Sequence, residues 1–231
     1  MTPEERPSSV SELPEYRSVL AVCAHPDDES FGLGAALARF AERGSAVSVL
    51  CFTHGEASTL GASVHRDLAA GREHELARAA AVLGIGSVRL LGYPDGALAD
   101  EQPEALADHV SASAGQTGAG LLVVFDEGGI TGHPDHIAAT QAALAAAARL
   151  RVPVLAWALE EAVAEGLSRA FGAQFVGRAA TEVDIAVRVD RQKQHKAIAC
   201  HESQATDNPV LARRLALQGE REVFRWLRLE H

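Results

Sequence analysis

Two short segments of this 231-residue chain repeat the tripeptide His-Pro-Asp: Ala24-His25-Pro26-Asp27-Asp28-Glu29 and Gly132-His133-Pro134-Asp135-His136. His25 with Asp28, and His133 with His136, are each three positions apart, so within a tight turn or a first helical turn both members reach one point. Two imidazoles and one carboxylate suffice for a catalytic metal, leave positions open for water and substrate, and on zinc lower the pKa of bound water to about 7. The residues left over fill the other roles. If Asp28 binds metal, Asp27 can accept a proton from attacking water; if His136 binds metal, His133 can donate to the leaving group or steady an oxyanion, with Asp135 placed to orient it. A single His-Pro-Asp at a helix start reads most simply as a cap, but capping requires neither the repeat nor the second histidine.

The elements that must position these residues alternate. Ser18 to Ala24 is a short β-rich run, and Ser30 to Arg43 carries Phe31, Leu33, Leu37 and Phe40 at helical spacing. Further strands are expected at Ala46 to Phe52, Ser87 to Leu91, Leu121 to Phe125 and Val154 to Ala158. The helices between them are expected at His65 to Leu83, Pro103 to Ser113 and Pro134 to Leu150. Short, nearly continuous apolar strands alternating with helices predict an α/β fold, a Rossmann-like doubly wound and mostly parallel sheet. In strand order 3-2-1-4-5 the first and fourth strands flank the switch point, so both His-Pro-Asp segments face one crevice. Each proline holds the histidine before it extended and can open a following helix.

Beyond residue 158 the pattern predicts a helix from Glu160 to Phe171, a strand from Glu182 to Val189, a helix from Arg191 to His201 and a last strand from Val223 to Leu229. No linker separates this part, so it is expected as a C-terminal extension of a single domain. Residues 1–17 form a polar N-terminal arm and residues 18–231 the domain. Leu229-Glu230-His231 has the look of a vector remnant and carries no functional weight.

Composition excludes several classes of protein. With 47% hydrophobic and 23% charged residues, the chain is neither a disordered tail nor a disulfide scaffold. No apolar run approaches the roughly 18 residues of a membrane span, and no apolar leader opens the sequence, so a soluble cytoplasmic protein with no membrane partner is expected. Lys and Arg total 21 against 31 Asp and Glu, a net charge of −10, which argues against nucleic acid as a partner. Three scattered cysteines, Cys23, Cys51 and Cys200, fit reduced thiols.

AHPDDE followed after three βα units by GHPDH resembles the PIG-L/LmbE-like family of zinc-dependent N-deacetylases, from Ala21 to at least Gln204. The resemblance implies a PIG-L/LmbE-like deacetylase domain over 18–231, with zinc held by His25, Asp28 and His136 and Asp27 as general base. It implies His133 as the transition-state-stabilising or acid histidine and Asp135 as the residue that orients it. Fe²⁺ or another divalent metal suits the same donors.

Thr53-His54-Gly55-Glu56 follows the second strand, Arg72 with Glu75-Leu76 resembles the family's R-x-x-E-L helix, and Gly92-Tyr93-Pro94-Asp95-Gly96 follows the third strand. Glu56, Arg72 and Asp95 are therefore candidates to bind substrate, the Arg and Asp through sugar hydroxyls; the plainer alternative pairs Arg72 with Glu75 and makes Pro-Asp-Gly an ordinary turn. Lys196 to Gln204 resembles a family H-x-S-Q segment and is expected as scaffold or pocket wall. His65, His74, His109 and His195 are expected on the surface.

The implied function is a hydrolase that removes an acetyl group from an N-acetylated amino sugar such as an N-acetylglucosamine derivative, or from a related small amide. Its partner is a small N-acylated molecule, and a homo-oligomer is compatible with the sequence. A dinucleotide-binding enzyme is disfavoured because Leu37 stands where a third glycine belongs. A non-haem iron oxygenase shares the two-histidine, one-carboxylate set. A non-catalytic carbohydrate-binding protein on the same fold would not need every catalytic position filled.

Overall fold

The computed structural model describes residues 12–60 and 66–227. His65, Leu229-Glu230-His231 and most of the N-terminal arm lie outside them. In chain order the elements are β1 (Ser18–Cys23), α1 (Asp28–Phe31), α2 (Gly34–Glu42), β2 (Ala46–Thr53), α3 (Leu68–Leu83), β3 (Ser87–Tyr93), α4 (Pro103–Thr117), β4 (Leu121–Phe125), α5 (Gly129–Gly132), α6 (Pro134–Leu150) and β5 (Val154–Glu160). They continue as α7 (Glu161–Phe171), β6 (Gly177–Arg178), β7 (Ile185–Arg188), α8 (Gln192–Ile198), α9 (Glu202–Ala205), α10 (Pro209–Gln218) and β8 (Arg221–Leu227).

β1 and β4 are buried along their whole lengths, as strands must be when helices cover both sheet faces. The sheet order is β3-β2-β1-β4-β5-β8-β7, with β6 beside β5. The first five strands are parallel; β8 adds antiparallel to β5, and β7 antiparallel to β8. The winding reverses between β1 and β4, so the two His-Pro-Asp segments leave neighbouring strand ends. The single sheet with helices on both faces is the expected α/β fold, and the C-terminal extension is its antiparallel edge.

Three local expectations are corrected. The helix expected over Ser30 to Arg43 is two helices broken at Gly32-Leu33. Gln194 Nε2 donates to the carbonyls of Ser30 and Phe31, and Arg214 donates to that of Phe31, so these carbonyls are drawn to side chains from distant elements. The strand expected over Glu182 to Val189 shortens to Ile185–Arg188. Pro209–Gln218, assigned no element from its sequence, is a helix whose start is capped by Asn208, its side chain accepting from the Leu211 N–H at 3.0 Å.

The extension is tied to the sheet by buried charge. Asp126, just past β4, accepts from Arg178 at 2.5 Å and from Arg225 on β8 at 2.8 Å.

Candidate metal centre

The turn after β1 is built by its own aspartates. Asp28 Oδ2 accepts the backbone N–H groups of Ala24 (2.9 Å) and His25 (3.0 Å), closing the loop and leaving Oδ1 pointing away. Asp27 sits at φ 128°, a conformation that side chains rarely adopt. Its N–H donates to Glu29 Oε2 at 2.9 Å, and Glu29 in turn is held by Ser30 and, at 2.7 Å, by the fully buried His201. After β4, His133 is the extended N-cap of α6 and Pro134 its first residue, which swings His136 one turn into the crevice.

Three donor atoms converge there. His25 Nδ1 lies 3.3 Å from His136 Nε2, His136 Nε2 lies 3.1 Å from Asp28 Oδ1, and His25 Nδ1 lies 3.9 Å from Asp28 Oδ2. A tetrahedral ion with metal–nitrogen bonds of about 2.0–2.1 Å sets its ligands roughly 3.3–3.4 Å apart, so the spacing fits a small divalent cation. The outer contacts fix which nitrogens carry hydrogen. His25 Nε2 faces Asp95 Oδ1 at 2.9 Å and Asp135 Oδ2 at 3.2 Å, both acceptors, and His136 Nδ1 faces the Gly129 carbonyl at 3.2 Å. Both outer nitrogens must donate, which turns the lone pairs of two neutral rings toward each other and toward a carboxylate. Such an arrangement calls for a cation, and carboxylates behind a histidine are the usual means of orienting a metal ligand.

The acidic surroundings favour positive charge at this point, whether a proton or a metal ion carries it. Burial opposes charge on His25, but hydrogen bonds to Asp135 and Asp95 outweigh it and carry its pKa up to about 10. For Asp28 burial works upward, yet the charge and hydrogen bond of His136 hold its carboxyl far below the usual range.

Asp27 stands beside this cluster on a different support. Arg72, buried on α3, donates to Asp27 Oδ2 at 2.9 Å and, at 2.5 Å each, to the carbonyls of Gly55 and Pro26. Gly55, at φ 65°, has no room for a Cβ, which would overlap the Arg72 guanidinium. Burial lifts the Asp27 carboxyl to about 6, with Arg72 pulling it down and Asp28 pushing it up. Glu75, the other candidate partner of Arg72, instead accepts from the N–H and hydroxyl of Ser203 at 2.9 and 2.6 Å.

One role suggested by spacing differs in the structure. The Asp135 carboxylate does not orient His133; it faces His25 and accepts the N–H groups of Gly96 (2.8 Å) and Leu98 (3.1 Å). Only its backbone N–H meets His133, donating to Nδ1 at 3.2 Å, which leaves hydrogen on Nε2 of the neutral ring. Burial and the neighbouring His136 and His25 lower the His133 pKa, favouring that neutral form. Of the three candidate substrate contacts, Arg72 and Asp95 line the cavity and also bond to protein, Asp95 accepting from Ala57 N–H at 2.9 Å. Exposed Glu56 does not line it and caps the Asp95 N–H at 3.0 Å.

His74 and His195 are exposed as expected, whereas His109 is half-buried against Tyr93. His201 had no role of its own in the sequence; its signal was the H-x-S-Q spacing, which sends His201 to Glu29, Ser203 to Glu75 and Gln204 to Ser58.

The cluster opens on a cavity of about 610 Å³, within the range of small-molecule sites. His25, Asp27, Asp28, His133 and His136 all line it. No helix among the described residues is long and apolar enough to cross a membrane.

Residues 20–147 match the profile of the PIG-L family, described as GlcNAc-PI de-N-acetylase. A 1D-myo-inositol 2-acetamido-2-deoxy-alpha-D-glucopyranoside deacetylase from Kineococcus radiotolerans is 34% identical over 172 residues, 60% of this chain and 47% of that protein. The enzyme of the same name from Saccharomonospora viridis is 30% identical over 229 residues, 89% of this chain and 80% of its own. The chain spans about half the length of the first of these relatives. Among solved structures, an N,N'-diacetylchitobiose deacetylase from Pyrococcus horikoshii aligns with TM-score 0.67 at 18% identity, over 91% of this chain and 84% of that one. A 4-carboxy-2-hydroxymuconate hydratase from Pseudomonas putida aligns with TM-score 0.70 at 19% identity, over 94% and 98%. Both likenesses speak for the fold alone, and a fold that carries two chemistries leaves activity to be argued from the site.

Proposed function

The chain belongs to the PIG-L family of GlcNAc-PI de-N-acetylases, and from that premise we propose that it hydrolyses the acetamide of an N-acetylated amino sugar or a related small amide. The observation that carries this reading is the convergence of His25 Nδ1, His136 Nε2 and Asp28 Oδ1 beside a separately held carboxylate, Asp27. His25, Asp28 and His136 would hold the metal. A nitrogen-rich set with one carboxylate suits zinc, which when bound acidifies water to a pKa of about 7 and polarises a carbonyl.

The chain's own residues supply the remaining steps. Asp27 takes the proton as water oxygen bonds to the amide carbon, and returns it to nitrogen as the C–N bond breaks, giving acetate and an amine. His133 donates from Nε2 to the oxygen that gains charge. Arg72 holds Asp27 by charge and hydrogen bond, and Asp95 and Asp135 keep His25 turned toward the metal position. An iron oxygenase would share the three metal-holding side chains but has no use for a proton carrier and an oxyanion donor on either side of them.

The test is release of amine from a panel of N-acetylated amino sugars, with metal-stripped and zinc-restored enzyme side by side. Metal-dependent release is expected; no release from any member would overturn the amino-sugar reading.

Two further results are expected. Asp27 works as a carboxylate, so kcat/KM should fall as pH drops through about 6 and be level above it; an unchanged rate well below that pH would remove Asp27 as base. In Arg72→Met an influence that lowers the Asp27 pKa is lost, so the acid limb should move to higher pH. A limb that stays in place would show that Arg72 does not act through Asp27.

A further inference from the structure

The cavity has a second end that the hydrolytic reading does not use. From His136 a line of rings leads away from the donor cluster: Phe125 packs edge-on against His136 with centroids 4.9 Å apart, Trp157 lies 5.3 Å from Phe125, and the Arg214 guanidinium sits 5.2 Å over the Trp157 ring. All four line the cavity, with Phe31 and Phe175 beside them. Gly32 is what lets the rings stand there, because a Cβ at that position would overlap the Phe125 ring.

Arg214 closes this aromatic end, and among the described residues no carboxylate pairs with it directly. Its NH1 donates to Gln218 Oε1 at 2.6 Å and its NH2 to the Phe31 carbonyl, both neutral oxygens. Gln218 passes the contact to Glu222 at 3.2 Å, but Glu222 is already paired with Arg191 and also accepts from Trp157 Nε1 at 2.5 Å. The connected buried set thus holds two guanidinium groups against one carboxylate. Burial draws its pKa down to about 10, with Glu222 pushing up and Arg191 adding to the lowering, as befits a cation short of counter-charge. A carbonyl and an amide oxygen would be satisfied by a neutral donor, so the structural contacts alone do not call for arginine, and an unpaired buried charge is costly.

We propose that Arg214 forms a carboxylate subsite: the substrate carries an apolar group that lies along Phe31, Phe125 and Trp157 and ends in a carboxylate paired with the Arg214 guanidinium. Its position relative to the scissile amide rests on the deacetylase reading above, whereas the subsite itself can be tested without turnover. The substrate class narrows accordingly to N-acyl compounds with an apolar substituent that ends in a carboxylate. The surrounding chain is acidic overall, with a net charge of −10, so an anion entering this cavity must be drawn by a local cation.

The experiment compares two N-acetylglucosaminides of one shape, with para-carboxyphenyl and para-carbamoylphenyl aglycones, on the zinc-loaded enzyme. The carboxylate should be favoured in kcat/KM by about tenfold or more, the usual scale of a hydrogen bond to a charged group. Arg214→Gln should abolish that preference, read as the ratio of kcat/KM for the two compounds, and Arg214→Lys should keep part of it. Equal kcat/KM for the two compounds in the unaltered enzyme overturns the subsite but leaves deacetylation standing. If neither releases amine, the deacetylase reading fails for this class, and binding of phenylbutyrate against phenylbutyramide, read by calorimetry, decides the subsite alone. Tighter binding of the acid, lost in Arg214→Gln, supports it; equal binding overturns it. Equal values for the two compounds in the unaltered protein overturn the subsite even where Arg214→Gln does not fold.

Discussion

Asp27→Asn is expected to lower turnover by about 10² or more while the protein still binds one equivalent of metal, the size of a general-base contribution. The substitution preserves shape and the contact to Arg72, since the asparagine oxygen still accepts the hydrogen bond that now runs at 2.9 Å to Oδ2. What it removes is the capacity to take a proton. Asp27 is held from three sides: Arg72 on its carboxylate, Glu29 on its backbone N–H, and the N–H of Phe31 on its carbonyl at 2.6 Å. A side chain kept at φ 128° by that much surrounding structure is under local strain that the fold has to offset, and strain of this kind gathers where a group must be aimed. Turnover and metal content measured on the same preparation separate the base from a ligand. Normal turnover in Asp27→Asn would sink the assignment, and loss of metal would make Asp27 a ligand instead.

The sequence disclosed this much of the site because its elements are local. His25, Asp27 and Asp28 lie within one turn, His133 and His136 within another, and the alternation of strands and helices was enough to bring both turns to one switch point. What stayed hidden depends on contacts between distant segments. Nothing near Asp135 in sequence says that its carboxylate reaches back 110 residues to His25 and not two residues to His133. The i, i+3 relation of Arg72 to Glu75 is visible in the sequence, whereas Gly55, Pro26 and Asp27 are brought to it only where the turns after β1 and β2 meet α3. The missed helix α10 had its signals, Asn208-Pro209 at the start and Gly219 at the end, but Arg213 and Arg214 in its middle blurred the apolar face. Arg214 belongs to that same face, and its burial beside Trp157 follows from the antiparallel edge strands, which no strand–helix alternation predicts.

His136→Ala should lose the metal altogether. The ring contributes one of three donors, and its Nε2 is the atom closest to both others, 3.3 Å from His25 Nδ1 and 3.1 Å from Asp28 Oδ1. Removing it leaves two donors, His25 Nδ1 and the Asp28 carboxylate, where a stable site needs at least three. The expected result after washing with chelator is near-zero zinc in the variant against about one equivalent in the unaltered protein. A second measurement guards against simple misfolding. A ligand that binds only the folded state raises its stability by mass action, so added zinc should raise the thermal midpoint of the unaltered protein and leave that of His136→Ala where it was. Asp135→Asn should fall between the two: it weakens the hydrogen bonding that orients His25 without removing a donor to the metal, a change that usually costs about 10- to 100-fold in metal affinity. Full zinc retention in His136→Ala would place the metal elsewhere, and the other donor group within reach, His25 with His133 and Asp135, would then become the candidate.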